Sequence, residues 1–303
     1  MNKKLITAAV SVAIGGVLLV TSAFASISNA AGYEIYKSAI KNTVSATSVT
    51  GSMNVIVKDN GEKLMEIVSD IKANKDNKAL SSITTIKSQA DMKEIDVYKQ
   101  DGKTIIKNSD SDVYNIAESI SEGKGMAAKH SNVLNDSDAV NAGETIVDVL
   151  VGNLKSFVNV NSNTDGKSEV SMQLSGSQIP AAANAAAALA VKGMTKQHEI
   201  IAKQGGEKNL GLSEITGNLK ITPPQLVDEI KVDSVDLKAV INKDNLIETQ
   251  NAVVAVSGKD AQGNLHSLSL NVNMNISDYN GSTPDKVDLT GKQTKTIEKD
   301  KMR

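Results

Sequence analysis

The sequence contains no cysteine and no tryptophan, and it has only two phenylalanines and four prolines among its 303 residues. The absence of cysteine excludes disulfide bonds, thiol catalysis and the attachment of a lipid to an N-terminal cysteine. A folded structure must therefore be stabilised by an ordinary apolar core, and the chain is long enough to bury one. The scarcity of aromatic rings also argues against a surface that binds sugars by stacking them on exposed rings.

The chain also carries almost no net charge. The formal net charge is -2 at pH 7, and no cluster of basic residues stands out along the chain. Because binding to a phosphate backbone depends on clustered positive charge, such a chain is a poor partner for nucleic acid. We therefore expect no nucleic-acid partner.

Residues 1–30 have the order of a secretory signal. Two lysines precede an uncharged apolar stretch, and small residues follow as Ala23-Phe24-Ala25 or Ser28-Asn29-Ala30. This order is typical of a cleaved signal peptide, so we predict cleavage after Ala30 and a secreted or cell-envelope product. The alternative is a retained anchor, because the apolar stretch 5–25 is just long enough to span a bilayer. No later apolar run has that length.

Alternation of apolar and polar residues predicts many strands after this segment. Met53, Val55 and Val57 alternate with polar neighbours, and the run ends at Asp59-Asn60-Gly61, a hairpin signal. Further strands are predicted over 64–73, 79–88, 92–99, 104–107, 170–174, 235–241, 252–257 and 267–276.

The strand predicted over 267–276 has the clearest two-sided pattern. Its apolar side chains are Leu268, Leu270, Val272, Met274 and Ile276, and its polar ones are Ser267, Ser269, Asn271, Asn273 and Asn275. Such alternation is typical of an antiparallel sheet with one face towards water.

Helical spacing predicts helices over 33–46, 137–158 and 177–204, the last of them rich in alanine. The polar stretch between 108 and 138 is predicted to be loop, with one short helix near Ile116. Together these elements predict an α+β fold: a curved antiparallel sheet with two long helices against its concave face. We expect one domain over 31–291 and a charged flexible tail over 292–303.

Two segments carry a resemblance to a known family. The stretch NISDYNGSTPDKVDLTGK (275–292) resembles the close of secreted proteins of the LolA/LppX-like, lipoprotein-carrier-like superfamily, and SGSQIPAAANAAAALAV (175–191) is similar to the central helix of Gram-positive members. The resemblance implies an incomplete β-barrel with helices in its concave face, where several members carry lipids or lipoproteins. The chain departs from that family in lacking the lipobox cysteine and the aromatic residues that often line the cavity.

No catalytic or zinc-binding pattern is present. The chain has no H-E-x-x-H or G-x-S-x-G motif, and none of its histidines, at positions 130, 198 and 266, has a second histidine four residues later. All three are interpreted as solvated surface residues. We therefore predict no enzyme activity, no catalytic residue and no cofactor.

Oxygen ligands at alternate positions over Asn108–Asp112 are the best candidate for a metal site, because calcium loops begin in this way. However, Val113 replaces the glycine of the sixth position and Ser119 replaces the glutamate of the twelfth. We therefore favour an ordinary polar loop and predict no metal site.

These observations predict a non-enzymatic extracytoplasmic binding protein that holds an apolar, lipid-like ligand between sheet and helices. The candidate cavity residues are Val147, Leu150, Val151, Leu154, Leu189, Met194, Leu270, Val272 and Met274. The alternative left open is a structural or interaction protein of the cell surface, with a filled core and a cell-envelope protein as its partner.

Overall fold

A computed structural model describes residues 31–118, residues 157–179 except 164, Ala181, Asn184, and residues 224–296. Strands account for 60% of these residues. They form a single twelve-stranded sheet whose neighbours are antiparallel except at one edge. The antiparallel sheet predicted from the sequence is therefore confirmed.

The α-helix α1 (Ala31–Ser45) precedes the sheet in the chain, as the spacing of its apolar residues predicts. Tyr33, Tyr36 and Ala39 lie on one side of α1 and are buried. Gly32 allows the helix to approach the sheet closely, because a Cβ atom there would lie 2.9 Å from the carbonyl oxygen of Val158.

Six strands follow α1 as a meander: β1 (Ser48–Asp59), β2 (Glu62–Asn74), β3 (Ala79–Ser88), β4 (Met92–Gln100), β5 (Lys103–Asn108) and β6 (Tyr114–Glu118). The β1–β2 hairpin turns at Asn60-Gly61 and the β4–β5 hairpin at Asp101-Gly102, with positive φ at all four residues. Two consecutive positive φ angles match the twist of the flanking strands, and Asn, Asp and Gly adopt them most readily. The strands predicted between 53 and 107 are thus confirmed.

The second half of the sheet contains β7 (Val158–Ser162), β8 (Ser168–Ser175), β9 (Asp228–Ile241), β10 (Ile247–Lys259) and β11 (Leu265–Ser277), followed by the short β12 (Thr294–Thr296). The order across the sheet is β12-β6-β5-β4-β3-β2-β1-β11-β10-β9-β8-β7. The two halves of the chain therefore meet where β1 pairs with β11.

The strand register gives the sheet an apolar face and a polar face. Met53 lies opposite Met274 on the apolar face, and Asn54 lies opposite Asn273 on the polar face. On the apolar face, α1 contacts β7, β9 and β10, and together with β8 they form what we call the helix-side core: Tyr33, Tyr36, Ala39, Val170, Met172, Leu174, Ile179, Leu237, Ala239, Ile241, Ile247 and Ala252. A separate meander core on β3, β4 and β5 contains Leu80, Ile95, Val97 and Ile106.

Residues 278–293, here called the C-terminal strap, run across the polar face from β11 towards β6. The Ser282 hydroxyl lies 2.9 Å from that of Thr50, and Asp285 forms a 2.9 Å ion pair with Lys72. Further along, the backbone N–H of Val287 donates to the Gln100 side chain, which donates back to the Val287 carbonyl. The strap ends where β12 pairs in parallel with β6.

The predicted fold class is wrong. The described residues form a mostly β, open sheet with one bounded α-helix, not an α+β incomplete barrel with helices on a concave face. The helix predicted over 137–158 cannot include Val158, which begins β7. The other residues of that helix, and most of the helix predicted over 177–204, lie outside the described residues. The β-branched residues Val158 and Val160 favour a strand and end the helical spacing that precedes them.

Two short strands replace segments that were predicted to be irregular. Ile116, where a short helix was predicted, lies in β6, and Thr294–Thr296 form β12 at the start of the predicted tail. The three residues of β12 are too few for a period of two to reveal them, and Ala117 and Glu118 break the alternation in β6. Their pairing joins segments that are distant in the sequence, which local patterns do not report.

The helix-side core gives a direct test of the fold. Leu237 is buried there, whereas Leu265 is 67% exposed on β11. Leu237→Ala should lower the free energy of unfolding by about 2–5 kcal/mol through lost apolar burial and a cavity. Leu265→Ala, the control, should change it by less than about 0.5 kcal/mol. Urea denaturation measures both values, and equal effects would contradict the assignment of this core.

Candidate functional site

A strip of apolar side chains crosses the middle of the apolar face on β11, β1 and β2. We call it the central apolar strip: Met53, Val55, Val57, Met65, Ile67, Leu270, Val272 and Met274. The strand register brings these residues together, because Val57 pairs with both Leu270 and Met65, and Val55 with both Val272 and Ile67. From the strand spacing and rise, its three rows span roughly 14 Å along the strands.

The strip lies between the two cores and belongs to neither of them. The helix-side core is on β8, β9 and β10, and the meander core is on β3, β4 and β5. Met53 and Met274 are buried, and most of the remaining strip residues are half-buried. Leu270, at the row nearest the hairpin turns, is 40% exposed. A large apolar side chain is thus in contact with water between two closed cores.

Three of the nine predicted cavity residues are part of the strip. Leu270, Val272 and Met274 share one face of β11, as the alternation of the sequence predicts. The other six predicted residues, Val147, Leu150, Val151, Leu154, Leu189 and Met194, lie outside the described residues. The structure therefore brings together only the β11 part of the predicted set.

Sequence reasoning missed the strip residues of β1 and β2. The alternation over Met53, Val55 and Val57 predicts a strand, but it does not indicate that these residues lie beside β11. Pairing between strands more than 200 residues apart leaves no local pattern. The available signal was that both strands have the same alternation and a similar length.

The strip is bounded by polar pairs at the end away from the hairpin turns. The hydroxyl of the buried Ser69 lies 2.8 Å from that of Thr84, and the Tyr36 hydroxyl donates to Gln250 Oε1 at 2.7 Å. Burial raises the pKa of Tyr36, so this hydroxyl stays protonated and donates at neutral pH. These polar groups already have partners, which leaves apolar contact as the main interaction that the strip offers.

His266 lies at the opposite end of the same face, between two carboxylates. Its Nδ1 is 2.8 Å from Asp59 Oδ2, and its Nε2 is 3.3 Å from Asp260 Oδ2. Only 16% of the His266 side chain is exposed, so its interpretation as a solvated surface residue was wrong. Asp59 is 207 residues away, and nothing near His266 in the sequence indicates this contact.

The two carboxylates favour the protonated form of this histidine. A neutral imidazole has one N–H and can donate to one carboxylate only, whereas the imidazolium donates to both. The hydrogen bond with Asp59, followed by the bond with Asp260, raises the pKa of His266 despite its partial burial. Hydrogen bonds from Asn264 lower the pKa of Asp260 to about 2, so this carboxylate is ionised at neutral pH.

The candidate calcium segment contains carboxylates that lysines already neutralise. Asp110 forms a 2.8 Å ion pair with the buried Lys93, and this hydrogen bond lowers the pKa of Asp110. Asp112 lies 4.0 Å from Lys107. In residues 31–118, 157–179 and 224–296, no group of three or more His, Asp or Glu side chains is placed to hold a metal ion. His130 and His198 lie outside these ranges.

No model of a known protein family matches the chain, and no curated protein sequence matches it. The interpretation of the strip therefore depends on its geometry. Within the part of the chain that the structure describes, no helix is long and apolar enough to cross a membrane.

The contact of His266 with two carboxylates predicts a pH-dependent stability. Because the folded-state pKa is raised above the ordinary value of 6.5, this contribution is fully present below that value. It is lost as pH rises through the folded-state pKa. His266→Gln should therefore lower the free energy of unfolding more at about pH 5.5 than at about pH 9.

Urea denaturation of both proteins at the two pH values measures this difference. In an Asp59→Asn background, the same His266→Gln substitution should have a smaller effect at the lower pH, because one carboxylate partner is already gone. An equal loss at both pH values would contradict the role of the imidazolium.

Proposed function

We propose that this chain is a non-enzymatic extracytoplasmic binding protein, and that the central apolar strip holds an apolar, lipid-like ligand. The observation that carries the proposal is the exposure of Leu270 in a strip with apolar neighbours on both adjacent strands. The location outside the cytoplasm follows from the signal pattern of residues 1–30, which lie outside the described residues.

The size of the strip favours a small ligand over a protein partner. Three strands at their usual spacing and three rows of side chains give an area of roughly 200 Å². A stable protein interface buries about 800 Å² on each partner, several times more than the strip provides. An acyl chain or a similarly narrow apolar molecule needs less area, so this reading is preferred to a cell-surface interaction protein.

Burial of apolar surface on the strip supplies enough binding free energy for a moderate affinity. Because Met53 and Met274 are already buried, covering the strip removes at most roughly 200 Å² of apolar surface from water, which stabilises a complex by at most about 5 kcal/mol at 25 cal/mol per Å², before the cost of association. The ligand's own buried surface adds a similar contribution. We therefore expect affinities in the micromolar range, set by apolar contact and weakly dependent on salt.

Leu270 and Leu265 provide a matched test, because they are the same residue type on opposite faces of β11. Binding of the neutral apolar dye N-phenyl-1-naphthylamine should be weakened about three- to tenfold by Leu270→Asn, since the contact loses apolar area. Leu265→Asn should leave the affinity unchanged. Fluorescence titration measures both, and thermal melting shows whether each variant is folded.

Native mass spectrometry of the purified chain completes the test. A lipid-sized adduct, or a melting temperature that rises with added lipid, supports the proposal. A chain without adduct that neither binds the dye nor responds to lipid would contradict it, and the interaction-protein alternative would then be preferred. Equal dye affinity of both asparagine variants would place the binding elsewhere.

A further inference from the structure

A cleft of about 180 Å³ lies on the polar face, on the other side of the sheet from the central apolar strip. Ser52, Asp70, Ile83, Tyr98, Asn275 and Ser277 line its floor on five neighbouring strands. Asp285 of the C-terminal strap forms one wall, and its ion pair with Lys72 and hydrogen bonds with Ser81 hold it there. The cleft is therefore built by the crossing of the strap over the sheet.

Two polar groups in the cleft are left unused by the fold. The Asp70 carboxylate and the Tyr98 hydroxyl form no hydrogen bond or ion pair with any residue that the structure describes. The wall carboxylate differs, because Asp285 is 2.9 Å from the Lys72 ammonium. Asp70 and Tyr98 thus remain available to a ligand.

The charge of the cleft disfavours anionic ligands. Lys72 and Asp285 neutralise each other, which leaves Asp70 as the one unpaired charge among the described lining residues. An anion would be repelled by this unpaired carboxylate. A neutral ligand with several hydroxyl groups avoids this repulsion and can donate hydrogen bonds to both carboxylate oxygens.

The lining also combines hydrogen-bonding groups with apolar surface. Ser52, Ser277 and Asn275 supply hydroxyls and an amide, and Ile83 is 46% exposed beside them. A sugar ring has the complementary arrangement, with hydroxyl groups at its rim and C–H groups on its faces. The few aromatic residues of the chain argue against stacking on many rings, but this cleft needs only the single ring of Tyr98.

We propose that the cleft binds one neutral sugar residue. The Asp70 carboxylate accepts hydrogen bonds from two adjacent sugar hydroxyls, since its two oxygens can accept in parallel. Ile83 and Tyr98 contact a C–H face of the ring. This inference is independent of the proposed apolar ligand, which binds to the opposite face.

The test uses ligand-observed NMR and calorimetry on the purified chain with glucose, galactose, mannose and N-acetylglucosamine. Spermidine and inorganic phosphate serve as cationic and anionic probes. Asp70→Asn should weaken sugar binding about tenfold, because a charge-assisted hydrogen-bond pair is replaced by neutral ones. The control is Asp76→Asn, which makes the same change in the exposed β2–β3 turn of the same hairpin.

Ile83→Ser tests the apolar contact and should also weaken binding, while thermal melting confirms that each variant is folded. Saturable binding of at least one sugar, weakened by Asp70→Asn and unchanged by Asp76→Asn, supports the proposal. No sugar binding at millimolar concentration, or equal effects of the two asparagine variants, would overturn it. Asp70-dependent binding of spermidine without sugar binding would assign the cleft to cations instead.

Discussion

The pairing of β1 with β11 is the interaction on which the rest of the structure depends. Ten residue pairs join the strand that opens the meander to the last long strand of the chain, from Thr50 opposite Ser277 to Asp59 opposite Leu268. Without this pairing the sheet would be two smaller sheets, each with an exposed edge. The same pairing assembles the central apolar strip, brings Asp59 to His266, and places the strap over the meander.

The two faces of this sheet offer different chemistry on the same strands. On β1, Val55 faces the apolar strip, while Ser52, three residues earlier, lines the polar cleft. On the polar face, the Asn273 side-chain amide donates to Asn271 Oδ1 at 3.0 Å. Some polar side chains of that face therefore have hydrogen-bond partners on the same strand. Because a shift of one residue would exchange the faces, the register of β1 and β11 controls both candidate sites at once.

Much of the strand content could be predicted from the sequence, because a period of two and turn residues are local signals. Asn60-Gly61 and Asp101-Gly102 mark hairpins, and the face assignment of Leu270, Val272 and Met274 follows from alternation alone. The fold class could not be predicted in this way. It depends on which strands are neighbours, and the helical spacing before Val158 favoured an element that β7 replaces at that residue.

The candidate site was predictable only where it lies on one strand. Val57 and Met65 complete the strip through pairing across the sheet, and the role of His266 depends on a carboxylate at the far end of the chain. Asp70 gave no signal at all, because an unpaired carboxylate is recognised only when its surroundings are known. Contacts that join distant segments are thus what the sequence pattern lacks.

The pairing of β1 with β11 also constrains when the centre of the sheet can form during folding. Strand β11 follows β1 by more than 200 residues, so the central pairing cannot form until that whole intervening segment has been synthesised. Closing so long a loop is entropically costly and makes folding slow. A chain of this topology therefore passes through partly folded states in which the edges of β1 and β11 are still unpaired.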